Sequence, residues 1–572
     1  YGTRAAWGVI LITTKSGKKG AERSSITYNN NFAWSQPTVT PKVAPGPEGA
    51  EMALLAYRRN NPNTSQFGAV GMYLDEIAIQ KMRDWQKQYG GQDLGDDMVM
   101  GRDFELRDNK LFFYRTWDPR EMYMKEWTPQ QTHNLSFNGS TAKTGYTLGL
   151  GYLNQSGVLK VNPDKFERLN LNLGVTSSVT NWLDARAKVI LSKANKTRPY
   201  YFSSETYDPW YYLSRWQAYY PYGTYEGKPF RSALTEVQQA KMTPIETTLG
   251  RIQVGGTFKL AKGLTLDADY YYTSVNDHEH QTGGSVEAWD FWAGAGQLNY
   301  GKYTSATYDR AIYLSDWSHR NVFKTFATYN KDLGDHDFKV IAGMDAELFE
   351  YWSQRSERRG LLNPDQGELG LATGDQFVGG SRGHWATNGY FGRFNYSFRN
   401  KILLEANGRY DGSSQFPRND QWAFFPSFSA GYVLTQEPFM DFVKPALSFF
   451  KLRGSWGSIG NQAVGGNRFL PVMSSSSSGW LVGSTNMLTV GTPGLVSPTL
   501  TWETVTTLNL GVDARFLNNK LGFSFDWFNR TTSDMLSAGL TVPSSLGTGA
   551  PLRNFGELET KGWEFETDFN HE

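Results

Sequence analysis

The chain has 572 residues and a net charge of +1, which argues against a general nucleic-acid binder. No apolar run approaches the roughly 20 residues that a membrane-spanning helix requires. The mean hydropathy of -0.51 still permits a transmembrane β-barrel, because only every second residue of such a strand faces lipid. The aromatic content of 15% and the 59 glycines favour a barrel with aromatic girdles and many turns. The absence of cysteine is consistent with an envelope protein.

The first long segment without strand alternation covers residues 37–130. Within it, Ile77, Ile79, Met82 and Trp85 recur at roughly helical spacing, which predicts a helix near residues 75–89. Further excursions of this kind are predicted at residues 198–243, 276–313, 360–383 and 460–498.

Period-two alternation dominates most of the remaining chain and predicts strands. In residues 169–175, leucines and a valine alternate with asparagines and a glycine, and residues 251–260, 402–411 and 508–516 follow the same pattern. About sixteen such segments are present by this pattern, many of about twelve residues or more, which is longer than most strands of soluble proteins. A soluble sandwich also alternates, but long and numerous strands favour the membrane barrel.

Short connections separate many of these strands. Residues 180–182, 260–263, 398–401 and 517–520 predict tight turns, and they alternate along the chain with the long excursions. Because successive antiparallel strands reverse direction, the long connections should gather at one end of the barrel, which in outer-membrane barrels is the extracellular end.

Several motifs, in order along the chain, resemble the SusC-type (SusC/RagA) TonB-dependent transporters of Bacteroidetes. The motifs are YGTRAAWGVILITTK at residues 1–15, HNLSFNGSTAKTGYTLGLGYLNQSG at 133–157, RYDGSSQFPRNDQWAFFPSFSAG at 409–431, KLRGSWGSIGNQ at 451–462, TWETVTTLNLG at 501–511 and PSSLGTGAPLRNFGELETKGWEFE at 543–566. Trp7 stands where the family usually has asparagine. Each motif alone is weak, but the ordered set is specific to the family.

The resemblance implies an all-β protein: a 22-stranded antiparallel transmembrane barrel with an internal plug, of which about sixteen strands are recognised here. It places the C-terminal end of the plug at residues 1–20 and the barrel at 21–572, and we expect the chain to be part of a longer polypeptide. The implied function is TonB-dependent import of a large nutrient, a glycan or an oligopeptide, across the outer membrane. The implied partners are a SusD-like surface lipoprotein that acts as a lid, the TonB-ExbB-ExbD complex, and a second SusC-SusD pair. A passive porin or a scaffold barrel within a larger complex are the alternatives.

An aromatic cluster in the excursion at 198–243 is the first candidate site. Aromatic faces stack on sugar rings and on apolar side chains, so these residues are predicted to line a binding cavity or a partner seam. The alternative is that they pack the core of the loop itself or extend the outer aromatic girdle. The candidates are Tyr207, Trp210, Tyr211, Tyr212, Trp216, Tyr219, Tyr220 and Tyr222, with Trp289 and Trp292 in a second cluster.

Polar residues on the predicted inner face form the second candidate set. Arg251, Glu405, Arg409 and Asp411 are predicted to face the lumen and to contact the plug or the solute; the alternative is that they simply keep the interior wet.

No enzyme motif is present, so neither catalysis nor a cofactor is predicted. Asp277-His278-Glu279-His280 resembles a metal cluster but lacks further ligands at a telling spacing, so a polar strand end is the preferred interpretation. Residues 93–97 (DLGDD) lack the EF-hand pattern and are interpreted as a solvated acidic loop.

Overall fold

A computed structural model describes residues 19–40, 42–69, 71–202, 210, 213, 216–292, 298–463, 465, 466, 468–538 and 541–570. Its strands are β1 Arg23–Ser35, β2 Phe67–Ala69, β3 Met72–Leu74, β4 Phe104–Arg107, β5 Lys110–Phe113, β6 Thr128–Ser140, β7 Thr144–Ser156, β8 Lys165–Ser178, β9 Leu183–Pro199, β10 Thr224–Tyr225, β11 Lys228–Pro229, β12 Met242–Ala261, β13 Leu264–Thr282, β14 Val286–Asp290, β15 Asn299–Tyr303, β16 Arg310–Leu333, β17 His336–Arg359, β18 Gln376–Phe398, β19 Ile402–Ser413, β20 Trp422–Val433, β21 Leu447–Asn461, β22 Ser475–Val482, β23 Thr485–Val490, β24 Glu503–Phe516, β25 Leu521–Ala538 and β26 Leu552–Phe569.

The described helices are short and lie outside the long strands. They are α1 Gly46–Asn60, α2 Glu76–Tyr89, α3 Pro119–Tyr123 and α4 Ala233–Gln239, with 3-10 turns at Pro364–Gln366, Leu369–Leu371, Leu434–Gln436, Pro438–Val443 and Ser544–Leu546. Within the part of the chain that the structure describes, no helix combines the length and the apolar character needed to cross a membrane.

In the described part of the chain, sixteen strands form one antiparallel sheet, in the order β1-β6-β7-β8-β9-β12-β13-β16-β17-β18-β19-β20-β21-β24-β25-β26. Each strand therefore pairs with the next long strand in sequence. The strands are 12 to 24 residues long. The predicted all-β fold and the count of about sixteen long strands are confirmed.

The two faces of this sheet differ in chemistry. Val254, Tyr270 and Phe323 are direct neighbours across β12, β13 and β16, and their side chains are 49%, 41% and 41% exposed on one face. Large exposed apolar side chains in cross-strand rows are unfavourable in water and favourable in lipid. We call this apolar face the outward face and the opposite, polar face the lumen face.

Connections alternate between short and long along the sheet, as predicted. The short ones include the turn between β24 and β25, where Leu517, Asn518 and Asn519 have φ of 53°, 55° and 68°, and the turn between β12 and β13, where Gly263 has φ of 79°. Such left-handed residues suit tight antiparallel turns. The longest connections therefore lie at the opposite end of the sheet, and residues 434–446 between β20 and β21, with two 3-10 turns, are an exception at the short-turn end.

Three long connections fold together into one unit, which we call the loop domain: residues 36–127, 200–241 and 283–309. Its largest core joins Met72 and Phe113 from the first connection, Tyr219 and Phe230 from the second, and Phe291 from the third. The loop domain thus has a hydrophobic core of its own at the long-connection end of the barrel.

Helix α2 confirms the predicted helix near residues 75–89. The Asp75 side chain accepts a hydrogen bond from the Ala78 backbone N–H at 2.8 Å and caps its N-terminus. Ile79 and Met82 are buried, as their spacing predicted, but Ile77 is 57% exposed. Ala78, and not Ile77, lies on the buried face, because at 3.6 residues per turn the Ile77 side chain falls outside that face.

Candidate functional site

The lumen face carries ion-paired arginines held between aspartates. Arg409 on β19 donates from Nη2 to Asp345 on β17 at 2.9 Å and to Asp411 at 2.7 Å, and its Nε donates to the second Asp411 oxygen at 3.0 Å. Asp411 is 4% exposed, and the Arg409 side chain is 21% exposed. The predicted lumen residues Arg409 and Asp411 therefore belong to one fixed cluster on that face.

Glu405, another predicted lumen residue, lies on β19 four residues before Arg409. Its carboxylate accepts hydrogen bonds from Asn395 at 2.5 Å and from Asn407 at 2.8 Å, and Arg393 lies 3.9 Å away. The side chain is thus held by neighbours on the lumen face.

Two further arginine clusters were missed by the sequence analysis. Arg186 on β9 donates to Asp269 at 2.5 Å and to Asp267 at 3.2 Å, both on β13. Arg453 on β21 donates to Asp513 on β24 at 3.0 Å and also pairs with Asp526 on β25. Each guanidinium bridges carboxylates that the antiparallel register brings to one face. The sequence signal shared by the Arg186 and Arg453 clusters is an arginine and aspartates at polar positions of neighbouring strands.

Arg251 differs from these arginines. It lies on the lumen face of β12 and donates from Nε to the Thr273 hydroxyl at 3.0 Å. It is exposed, and among the described residues no carboxylate forms an ion pair with it. Its charge is therefore available to the lumen, unlike that of Arg186, Arg409 or Arg453.

The predicted aromatic cluster lies in the loop domain. Trp216, Tyr219 and Tyr222 are 7%, 4% and 6% exposed and belong to its hydrophobic cores. The Tyr222 hydroxyl donates to the Trp216 carbonyl at 3.0 Å, and Trp216 stacks on Trp292 with ring centroids 5.7 Å apart. Because these three side chains are buried, their geometry favours the alternative that they pack the loop core; contact with a solute or partner stays a prediction.

The remaining aromatic candidates are partly exposed or lie outside the described residues. Trp210, Tyr220, Trp289 and Trp292 are half-buried against the same cores. The Trp289 indole donates to the Tyr225 carbonyl at 2.7 Å. Tyr207, Tyr211 and Tyr212 fall outside the described residues.

A buried charged group lies at the centre of the loop domain. Glu236 on α4 is 3% exposed, and the Tyr303 hydroxyl donates to it at 3.4 Å. Burial raises the pKa of Glu236 to about 7, although the nearby positive charge of Arg231 acts to lower it. Arg231 is itself held between the rings of Trp292 and Tyr303, 4.0 and 3.9 Å from their centroids.

The metal-like segment lies within β13. His278 contacts the Ser315 hydroxyl at 3.2 Å, Glu279 pairs with Arg198 at 2.6 Å, and His280 stacks on Tyr313 with centroids 4.2 Å apart. Among the residues that the structure describes, no group of three or more His, Asp or Glu side chains is placed to hold a metal.

The 93–97 segment is a loop whose Gly95 carbonyl accepts a hydrogen bond from Arg115 at 2.5 Å.

Among the described residues, two cavities lie against the lumen face. The larger of the two, about 1190 Å³, lies at the short-turn end, and its lining includes the charged residues Lys262, Asp337, Glu405 and Arg453. The smaller, about 480 Å³, lies nearer the long connections between β17, β18 and the loops at Gln415 and Gly465. The lumen face thus leaves space at both levels, with a charged lining at the short-turn end and an aromatic wall of Phe349, Tyr351 and Trp385 nearer the long connections.

The sequence of this barrel is similar to a known family of proteins. The family model described as "TonB dependent receptor-like, beta-barrel" matches residues 189–570, which is more than half of the chain. TonB-dependent receptor SusC of Bacteroides thetaiotaomicron is 25% identical, over 99% of this chain and 52% of its own length. TonB-dependent receptor P26 of Formosa agariphila is 23% identical, over 99% of this chain and 52% of its own.

Solved structures agree on the fold. The structure of the RagAB peptide transporter is similar with a TM-score of 0.71 at 23% identity, over 99% of this chain and 61% of that one. The same importer in its open-open state gives a TM-score of 0.72 at 22% identity, over 99% and 60%. The chain spans about half the length of the curated relatives it matches.

The family is one of receptors and transporters and not of enzymes, and its members are β-barrels of the outer membrane. The chain therefore belongs to the TonB dependent receptor-like beta-barrel family, as a SusC-like outer-membrane protein.

Proposed function

We propose that this protein forms the barrel of an importer that carries a large nutrient, a glycan or an oligopeptide, across the outer membrane with energy delivered by TonB. The observation that supports this most is the lumen face: an ion-paired interior with a cavity of about 1190 Å³ at the short-turn end. A barrel of sixteen or more strands encloses an aqueous channel unless it is plugged. Such a barrel needs a plug that closes it and a source of work that opens the plug. TonB-dependent transport supplies both.

Residues 1–20 are proposed as the end of the plug and residues 21–572 as the barrel. The Lys19 side chain supports this division. It donates to Asp184 at 2.6 Å and to the Ser178 hydroxyl at 2.8 Å, beside the short turn between β8 and β9. A chain leaving a plug would reach β1 at this end, and an ion pair to the lumen face would hold it there. Arg251, Glu405, Arg409 and Asp411 are proposed to face the plug or the solute.

A SusD-like lipoprotein is proposed as the lid over the loop domain. The hairpin of β22 and β23, within the long connection from β21 to β24, supports a partner at this end, since Trp480 is 81% and Leu488 72% exposed. A two-stranded hairpin with exposed apolar residues gains stability when a partner covers it. We further propose that two pairs, each of one barrel and one lipoprotein, assemble into a dimer. The half-buried Trp210, Tyr220, Trp289 and Trp292 are proposed to border the solute or the lid.

The test is uptake by cells that produce the full protein, with TonB present or deleted. The probes are one labelled pool of oligosaccharides and one of oligopeptides, each too large for general porins. We expect uptake of one pool to require TonB, and a lipoprotein to co-purify with the barrel. Free conductance in a planar bilayer together with TonB-independent uptake would instead establish a passive porin, and no uptake of either pool would favour a scaffold.

A further inference from the structure

A single cross-strand row on the lumen face combines cationic and aromatic side chains. Arg251 on β12 is directly opposite Thr273 on β13, Thr273 is opposite Arg320 on β16, and Arg320 is opposite Phe349 on β17. Phe349 is in turn opposite Trp385 on β18. With strands about 4.8 Å apart, the row runs roughly 20 Å across the barrel wall at one height.

The aromatic end of this row is one wall of the cavity of about 480 Å³. Phe349 and Trp385 stack with centroids 5.4 Å apart, and Tyr351 stacks on Phe349 at 6.2 Å. Gly383 leaves the space that the Tyr351 ring fills, since a Cβ there would meet the ring at 2.4 Å. The cavity falls within the size range of small-molecule sites and can hold a sugar ring.

The other wall of the cavity consists of small residues and one side-chain amide. Ala463, Gly465 and Gly466 come from the connection after β21, and Gln415 comes from the connection after β19. The Gln415 Oε1 atom is buried and has no hydrogen-bond partner among the described residues. A buried acceptor without a donor is unfavourable. A turn of the Gln415 amide toward the cavity would let a ligand hydroxyl or N–H donate to this oxygen and remove that cost.

The charge around the cavity is positive. Arg320 lies over the Phe349 and Trp385 rings, 5.2 and 5.9 Å from their centroids, and its nearest carboxylate is Glu347 at 3.4 Å. The Arg468 guanidinium lies against Gly465, close enough that a Cβ there would meet its Nε at 2.8 Å. Within the described part of the chain, neither Arg468 nor Arg251 forms an ion pair. Of the arginines beside the cavity, Arg320 and Arg382 each have one carboxylate neighbour, at 3.4 Å and 3.9 Å, whereas Arg468 has none among the described residues.

We infer that this cavity is a subsite for one ring of an acidic oligosaccharide, with the anionic group directed to the arginine row. The inference rests on the proposed function, because it names the solute class of the import pathway. A sugar ring supplies an apolar C–H face for the aromatic wall, hydroxyl donors for Gln415, and, in a uronic acid, a carboxylate for Arg320. An apolar peptide side chain would fill the space but would leave Gln415 Oε1 without a donor and Arg468 without a counter-charge.

The experiment is calorimetric titration of the purified full protein in detergent with three probes: hexagalacturonate, a neutral hexasaccharide and a hexapeptide. Trp385→Ala should weaken hexagalacturonate binding about fivefold, and Trp385→Phe should keep most of it. Arg320→Gln should weaken binding of the acidic probe about tenfold and leave the neutral probe unchanged. The affinity of the unaltered protein for hexagalacturonate should fall as salt rises.

Trp456→Ala is the matched control. Trp456 lies on β21 and stacks on Phe428 on the outward face, with centroids 6.2 Å apart, and it does not line the cavity. Its loss should leave binding intact. Equal binding of acidic and neutral probes, preference for the peptide, or equal loss in Trp456→Ala and Trp385→Ala would each overturn the inference.

Failure of this inference and failure of the proposed function give different results. TonB-dependent uptake that survives Trp385→Ala and Arg320→Gln would overturn the subsite and leave import standing. Hexagalacturonate binding that depends on Trp385 in a protein whose uptake ignores TonB would keep the subsite and contradict the proposed function.

Discussion

Replacing Arg409 by leucine should destabilise the barrel, because this residue neutralises two carboxylates at once. Arg409 donates three hydrogen bonds, one to Asp345 and two to Asp411. Leucine has a similar apolar stem but cannot donate. The substitution therefore leaves two aspartates on one face without their shared cation.

The expected loss follows from burial. Removing one partner of a buried ion pair costs about 3–5 kcal/mol. The Asp411 side chain is 6% exposed, but that of Asp345 is 32% exposed and is partly screened by water, so we expect the lower end, about 3 kcal/mol. Adding Asp345→Asn and Asp411→Asn to Arg409→Leu should restore about half of it, because the uncompensated charges are removed.

The assay is urea unfolding of the protein refolded into lipid vesicles, followed by tryptophan fluorescence. Arg399→Leu is the control, since Arg399 pairs with Asp335 at 2.5 Å on an exposed turn, and exposed pairs contribute little. We expect no measurable change there. If Arg409→Leu also lowered the free energy of unfolding by less than about 1 kcal/mol, the argument that the lumen cluster is a stabilising unit would be refuted.

Three further predictions concern the loop domain and its orientation. Trp216→Ala should cost this domain about 3–5 kcal/mol by opening a cavity, and hydrogen exchange should quicken in α4 but not in the barrel strands; equal exchange in α4 would contradict it. Burial raises the pKa of Glu236 from 4.5 to about 7, so the unfolded state ionises first, and the stability of the domain should fall as pH rises from about 4.5 to about 7. Glu236→Gln should remove that fall, as measured by exchange in α4 at several pH values. Since the chain has no cysteine, Lys87→Cys on α2 should react with an impermeant maleimide on intact cells, and Lys262→Cys in the β12–β13 turn should react only after the outer membrane is opened; the reverse pattern would contradict the orientation.

The strands and turns could be predicted because alternation is a local property. Residues 251–260 and 402–411 carry the pattern of the two barrel faces within themselves, and the lumen position of Arg251, Glu405, Arg409 and Asp411 follows from the same alternation. The α2 helix was likewise visible from its own spacing, apart from Ile77.

The loop domain could not be predicted in this way, since its core joins residues far apart in sequence. Phe113 packs on Phe230 at 5.5 Å and on Phe291 at 5.3 Å between ring centroids, and no local pattern indicates these partners. The burial of Trp216 and Tyr222 depends on such contacts. For the same reason the clusters of Arg186 and Arg453 emerge only once the register of the strands is known.

The most direct test of the account measures uptake of the labelled solute by the same cells before and after the proton gradient of the inner membrane is dissipated. Energised import through a plugged barrel predicts that uptake falls to the level of cells lacking the protein, while surface binding of the solute persists. Uptake that continues at its original rate without the gradient would contradict the central claim.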